Sequence, residues 1–294
     1  MKKYYITTPI YYVNDKPHIG HAYTTILADT ISRFRALIGE NPTFLTGLDE
    51  HGLKVQQAAE KNGMAPQDHC DSMAPAFIDL WKKLNINYSD FIRTTDYRHT
   101  NIVQEILTKV HESGDIYMDE YEGWYSISEE RFITEKELDS GQFGEVKKIK
   151  EKNYFFKMSK YQKTLIDKIE KDELLIQPKS RKNEVLGFLK NELSDLCISR
   201  PKSRLEWGIE LPFDDNYVTY VWFDALINYI SAIGLYKDDK QFSSLWPADV
   251  HLIGKDILTT HSVYWPTMLL SLGLPLPQRI FAHGWWLTDD KKMS

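Results

Sequence analysis

Apolar and polar positions along the chain follow two alternating patterns. Residues 4–13, YYITTPIYYV, are dense in aromatic and β-branched side chains and predict a strand, which Asn14-Asp15-Lys16-Pro17 breaks. Over 22–37 the apolar positions recur at helical spacing, with Gly39 as a stop. The same reading gives a short strand at 42–46, helices at 52–61 and 66–84, an extended piece at 91–93 and a helix at 97–112. The last part repeats this alternation. A helix at 221–233 precedes a strand at 249–253 and a helix at 256–272; Gly273, Pro275 and Pro277 then lead into a strand at 279–283. Strands alternating with helices imply a parallel sheet with crossover helices.

Between these parts the texture changes. Residues 116–216 carry short aromatic extended runs such as Tyr121-Glu122-Gly123-Trp124-Tyr125, a glycine-bearing stretch at 141–144, and helical patterns at 161–171 and 181–195. The expected fold is therefore α/β, a doubly wound parallel sheet split by an insertion. Residues 1–115 are its first half, 116–216 the insertion and 217–294 its second half.

Composition narrows the setting. A length of 294 residues with 42% hydrophobic side chains is enough for about two domains with real cores. Two cysteines, Cys70 and Cys197, lie far apart without CxxC spacing, which argues against a disulfide framework or a cysteine zinc knuckle and fits a reducing cytoplasm. The N-terminus lacks a basic stretch followed by an apolar one, and the longest apolar run, 218–235, is interrupted by Asp224 and Asn228. The chain is thus read as cytoplasmic. A net charge of −6 would repel nucleic acid if evenly spread, so RNA contact would need local patches. The candidates are 147–152 and 200–204, each of which reads more readily as a solvated face.

The candidate chemistry starts at His18-Ile19-Gly20-His21, where a strand turns into a helix. A helix N-terminus offers unpaired N–H groups and a positive dipole end to an anion, and two imidazoles three residues apart face the same ligand. Gly20 lets a nucleotide approach the backbone. Alone, the tetrapeptide is equally a metal pair or two surface histidines. The chain's far end, Lys291-Lys292-Met293-Ser294, adds the first three letters of KMSKS. Together the two motifs resemble those of the class I aminoacyl-tRNA synthetases, and within them the methionyl enzymes, over essentially the whole chain. Lys157-Met158-Ser159-Lys160 matches the same motif. It runs straight into the helix at 161–171 without a glycine-bearing strand end, and it reads better as a solvated helix start.

The resemblance implies an ATP-dependent ligase that joins the carboxylate of L-methionine to the α-phosphate of ATP, with Mg2+, and then charges tRNA(Met). His18, Gly20, His21 and Lys292 would contact the phosphates, Lys292 opening a mobile loop. Asp256, in Gly254-Lys255-Asp256, would hold the ribose; Trp207-Gly208 and His283-Gly284 would flank the nucleotide. Asp49 would take the substrate ammonium. Pro9, Ile10, Tyr12, Trp222, Ala225, Leu226, Tyr229, Ile257 and His261 would line the methionine pocket, with Leu226 standing where some relatives have proline. By spacing alone Trp222, Ala225, Leu226 and Tyr229 are one face of a helix and as readily core. Asp49 and Asp256 are as readily helix caps. The insertion is too short for the editing domain of the isoleucyl, valyl and leucyl enzymes. Trp124-Tyr125-Ser126 stands where a zinc knuckle would begin, so a zinc-free form is expected. The chain is read as a catalytic fragment stopping inside the KMSKS loop, monomeric by itself. Two other readings stay open: a small-molecule nucleotidyltransferase with an HxGH site, and a catalytically dead tRNA-binding relative.

Overall fold

The computed structural model describes residues 2–126, 131–133, 138, 145–285, 287–288 and 291–292. The first half runs β1 (Lys3–Tyr12), α1 (Ile19–Leu37), β2 (Asn41–Asp49), α2 (Leu53–Lys61), α3 (Pro66–Lys83), β3 (Asp90–Arg93) and α4 (Tyr97–Glu112). A middle section follows with β4 (Ile116–Ser126), β5 (Arg131–Ile133), β6 (Val146–Phe156), α5 (Gln162–Glu170), β7 (Leu175–Gln177), α6 (Lys179–Phe188), β8 (Leu196–Cys197), β9 (Ser199–Pro201), β10 (Glu210–Leu211) and β11 (Asp214–Thr219). The last part holds α7 (Val221–Leu226), α8 (Asn228–Ser231), α9 (Asp239–Leu245), β12 (Val250–Gly254), α10 (Trp265–Ser271) and β13 (Arg279–His283).

Six parallel strands form the central sheet in the order β3-β2-β1-β12-β13-β7. Near-continuous burial of β1 is what a central parallel strand covered on both faces requires. Its side chains divide between the faces. Tyr5 joins the large cluster that contains Ile102, Val103 and Ile106 of α4, whereas Tyr4 and Ile6 pack with Ala28 of α1, Phe44 and Leu252. Strand order reverses between β1 and β12, and the crevice outside the carboxyl ends of those two strands is where open α/β sheets bind ligands.

The antiparallel pair β4 and β6 runs in register from Ile116↔Phe156 to Ser126↔Val146, flanked by β5 and β8. One stretch inside 116–216 does something the pattern does not signal: β7 returns to the parallel sheet and pairs with β13 through Leu175↔Arg279. Three residues, Leu-Ile-Gln, are too few to carry a periodic signature.

Three expected helices are interrupted, each for a visible reason. The helix read at 181–195 ends at Phe188, because the Gln162 side chain donates to the carbonyls of Leu189 and Asn191 and accepts from the Leu193 N–H. The helix at 221–233 divides into α7 and α8, and the Asn228 amide donates to the Ala225 carbonyl at the joint. In the helix at 256–272, a 3-10 turn (Lys255–Ile257) and a π turn (Thr260–Tyr264) precede α10. Pro266 has no N–H to give the carbonyl four residues back, which loosens the ladder there. Among the described residues no helix is long and apolar enough to cross a membrane.

Candidate active site

The crevice at the strand-order reversal gathers most of the residues singled out by sequence. Pro9, Ile10 and Tyr12 sit in the last four residues of β1, Asp49 ends β2, Gly254 ends β12 and His283 ends β13. The N-terminus of α1 opens beside them.

His18 and His21 cap that helix mutually. The Gly20 N–H donates to His18 Nδ1 at 3.1 Å, and the His18 N–H donates to His21 Nδ1 at 3.2 Å, which is a capping box built from two imidazoles. Their rings stack at 3.8 Å, and Tyr11 lies 4.7 Å from the His21 ring. Burial first, and the neighbouring His18 second, push the His21 pKa down to about 3, so its ring is neutral at pH 7. A neutral imidazole that accepts at Nδ1 carries its proton on Nε2, where it can donate outward. A side chain at position 20 would meet His18 Cε1 at 2.9 Å, which is why glycine stands there.

Among the residues expected to line an apolar pocket, Tyr229 is buried between two histidines. His261 Nδ1 lies 2.9 Å from the Ile257 carbonyl, which only accepts, so that nitrogen bears the proton. His261 Nε2 therefore accepts from the Tyr229 hydroxyl at 2.7 Å. Burial, the dominant cause, lowers the His261 pKa to about 4 and keeps this tautomer neutral. On the other side His251 Nε2 accepts from the Trp265 indole at 3.1 Å and its Nδ1 pairs with Thr7 Oγ1, while its ring lies 4.3 Å from Tyr229. Ala225 and Leu226 are buried; Trp222, Ile10, Tyr12 and Ile257 are half-buried. Leu226, Ile10 and Ile257 belong to the same apolar cluster as Tyr229. Asp49 is near enough to influence Tyr229 electrostatically. It does not cap α2, whose N-cap is Gly52 without a side-chain bond.

On the nucleotide side, a side chain at Gly254 would lie 2.5 Å from Asp256 Oδ1 and 3.7 Å from His283 Cε1, so strand end, exposed carboxylate and imidazole converge. His283 Nε2 pairs with Thr24 Oγ1 of α1 at 2.7 Å, tying the end of β13 to the first turns of that helix. Asp256 does not serve as a cap; it lies within the 3-10 turn. Lys292 is described only as backbone in a short pairing with Leu287, and Met293 and Ser294 lie outside the described residues.

The second KMSK string is used structurally. Met158 is buried, Ser159 Oγ donates to Asp195 and Lys160 Nζ pairs with Asp115 at 2.6 Å. Lys160 is thus anchored in an ion pair, not merely solvated. Both basic runs are also engaged: Lys147, Lys148 and Lys150 pair with Glu145, Glu122 and Glu120, and Arg204 pairs with Glu151. Arg200 is buried, with its guanidinium 4.4 Å from the Tyr220 ring.

Sequence reasoning missed the polar network under the Asp49 turn. Glu50 is wholly buried and bonded to Arg93 and Thr95; burial, outweighing those partners, raises its pKa. His51 Nδ1 donates to Asp224, which also accepts from His99. The available signal was Asp224 itself, a charged residue breaking the longest apolar run.

Comparison with known proteins agrees with the geometry. The family model described as class I tRNA synthetases (M) matches residues 4–142 and 139–294. The methionine–tRNA ligase of Clostridium tetani is 52% identical over the whole chain, which covers 46% of that protein; the Bacillus subtilis enzyme is 47% identical, with 99% of the chain and 46% of that protein covered. The chain thus spans about half the length of the curated relatives it matches. The structure of Mycobacterium tuberculosis methionyl-tRNA synthetase in complex with methionyl-adenylate superposes with a TM-score of 0.92 at 43% identity, covering 97% of this chain and 57% of that one. Its apo form superposes with a TM-score of 0.81 at 41% identity, covering 97% and 56%. With a doubly wound sheet, paired imidazoles at the switch-point helix and similarity of this order over the whole of this chain, the chain belongs to the methionyl-tRNA synthetase family of class I.

Proposed function

We propose that this chain is the catalytic portion of a methionine–tRNA ligase, activating L-methionine with ATP to methionyl-adenylate and, within a protein of its relatives' length, charging tRNA(Met). The observation that carries this reading is the meeting, in one crevice, of a helix N-terminus bearing two imidazoles, the Asp49 carboxylate and the Tyr229–His261 wall. The carboxylate oxygen of methionine attacks the α-phosphorus, the bond to the β-phosphate breaks, and pyrophosphate leaves with the electron pair. Such a displacement is accelerated by positioning and by donors aimed where phosphate charge develops. Neutral His21 supplies an Nε2–H donor beside the dipole end of α1, and His18, whose Nδ1 accepts from the Gly20 N–H, turns its Nε2 to the same side. Asp256 and Gly254 take the ribose side, Lys292 opens the phosphate-facing loop, and Mg2+ enters as part of the nucleotide substrate. Asp49 takes the ammonium through a charge-assisted bond.

Specificity for a thioether follows from the Tyr229–His261 pair in that wall, whose polar atoms face one another. His261 and Tyr229 satisfy one another, leaving a polarizable aromatic surface that suits sulfur. We read the insertion as zinc-free, the protein as cytoplasmic and this chain as a monomer. The test is thermal unfolding with free amino acids or a non-hydrolysable methionyl-adenylate mimic. Methionine at about a hundred times its dissociation constant should add roughly 2.7 kcal/mol, with no comparable effect from leucine, isoleucine, valine or cysteine. Equal stabilisation by leucine would remove the specificity claim. Stabilisation by ATP but by no amino acid would favour a small-molecule nucleotidyltransferase instead.

A further inference from the structure

The His51–Asp224–His99 network joins the segments that carry Asp49 and Ala225 and has no part in the chemistry above. Asp224 sits on α7 with 1% of its surface exposed. Its Oδ2 accepts from His51 Nδ1 at 2.6 Å and its Oδ1 from His99 Nε2 at 2.7 Å. His99 Nδ1 continues to Ser231 Oγ on α8 at 2.8 Å. Burial alone would raise the Asp224 pKa, but the two imidazole partners outweigh it and hold the group below the usual carboxylate range. One ionised carboxylate therefore joins three elements: the turn after β2, the start of α4, and α7.

Its location matters more than its strength. His51 follows Asp49 by two residues, and Asp224 lies between Trp222 and Ala225 in the chain. The carboxylate bridges the segment proposed to take the ammonium and the segment proposed to form the apolar wall. Other bonds reinforce the same turn. Trp207 lies 5.3 Å from the His51 ring, its indole donates to the Glu50 carbonyl, and the Gly52 N–H donates to the Trp207 carbonyl at 3.1 Å. Buried ionic pairs contribute little net stability compared with well-packed apolar residues of similar volume, so stability alone is a weak reason to keep this one. Fixed geometry is a stronger reason, because a ligand that must satisfy an ammonium site and an apolar wall together needs the two held at a set distance.

We propose that Asp224 is a positioning residue for the amino-acid site: through His51 it holds the Asp49 turn against the α7 wall, so that both halves of the pocket are in place before the ligand arrives. This inference rests on the methionine reading given above. The experiment is calorimetric titration of the chain with L-methionine, for the unsubstituted protein and three variants. His51→Ala removes the bond to Asp224, whereas His51→Asn keeps an amide N–H near the place of Nδ1. Asp115→Asn disrupts a different buried carboxylate, paired with Lys160 and Ser271. It lies past the far end of α4 from His99, on the order of 20 Å away by helical rise.

His51→Ala is expected to weaken methionine binding about tenfold or more, since small misplacements of a site are costly. His51→Asn should stay within about threefold of the unsubstituted chain, and Asp115→Asn should lower the melting temperature while leaving affinity within about twofold. Unchanged binding by His51→Ala would overturn the proposal, as would an equal loss in Asp115→Asn or a failure of His51→Asn to restore affinity. If the unsubstituted chain binds no methionine, the functional reading falls and this inference falls with it.

Discussion

His21, His251 and His261 make the crevice sensitive to acid. All three are held neutral by burial: His21 titrates at about 3, His261 at about 4, and His251 is pushed well below its ordinary value. In the unfolded chain each would take up its proton near pH 6.5. Below that pH the unfolded state binds more protons than the folded one, so stability falls as pH drops, and each contribution is fully lost once pH passes the folded value. For His261 the window runs from about 6.5 to about 4 and is worth on the order of 3 kcal/mol. Thermal unfolding should therefore show a steep loss of stability across that window, and His261→Gln, which has no imidazole to titrate, should show a shallower one. A pH dependence identical to that of the unsubstituted chain would place His261 outside this coupling. At this scale the sequence was legible for position where a motif carried the information, as for His18 and His21 at the start of α1 and Asp49 at the end of β2. It was not legible for Asp224, His51 and His99, which are 125 and 173 residues apart across their bonds and meet only when three elements pack.

Among the elements, β2 contains a sharp test of how tightly the sheet is built. Gly47 pairs with Ile92 of β3, and a Cβ there would lie 2.0 Å from the Ile92 carbonyl oxygen. Backbone cannot yield as a flexible side chain can, so Gly47→Ala should destabilise by about 3 kcal/mol or more. Gly187 is the counterpart: it lies within α6, exposed, with nothing within 4 Å of an added Cβ. Gly187→Ala should stabilise by roughly 0.5–1 kcal/mol through helix propensity and a less flexible unfolded chain. Denaturant unfolding of the two variants checks both signs, and a neutral Gly47→Ala would show that β2 and β3 are less tightly apposed. The long periodic elements α1, α3 and α4 were readable within a few residues, because one face of each is buried at helical spacing. The breaks at 189, 227 and 260 were not, because they depend on Gln162, on Asn228 and on a proline within an otherwise helical pattern.

At the scale of the whole molecule, alternation of strands and helices announced the doubly wound sheet, yet β7 stayed hidden because its membership depends on a neighbour, β13, about a hundred residues later in the chain. Charge is the other property of this scale, and it bears on tRNA. The chain carries a net −6, and the basic runs that might have offset it locally are occupied: three lysines on β6 face glutamates, and Arg200 is buried among aromatic rings. Surface ion pairs add little stability, but they remove the positive potential that phosphate recognition draws on. Because phosphate contacts supply most of the affinity of nucleic-acid binding, this chain should bind tRNA weakly at about 150 mM salt and should separate initiator from non-cognate tRNA poorly. Its curated relatives are about twice as long, and we expect the discriminating contacts to come from the length this chain does not span. Titrating the chain with both tRNAs by fluorescence anisotropy checks this. Tight binding that strongly favours the initiator would mean that the sheet and its insertion read tRNA through shape or uncharged contacts, and the division of labour argued from charge would have to be abandoned.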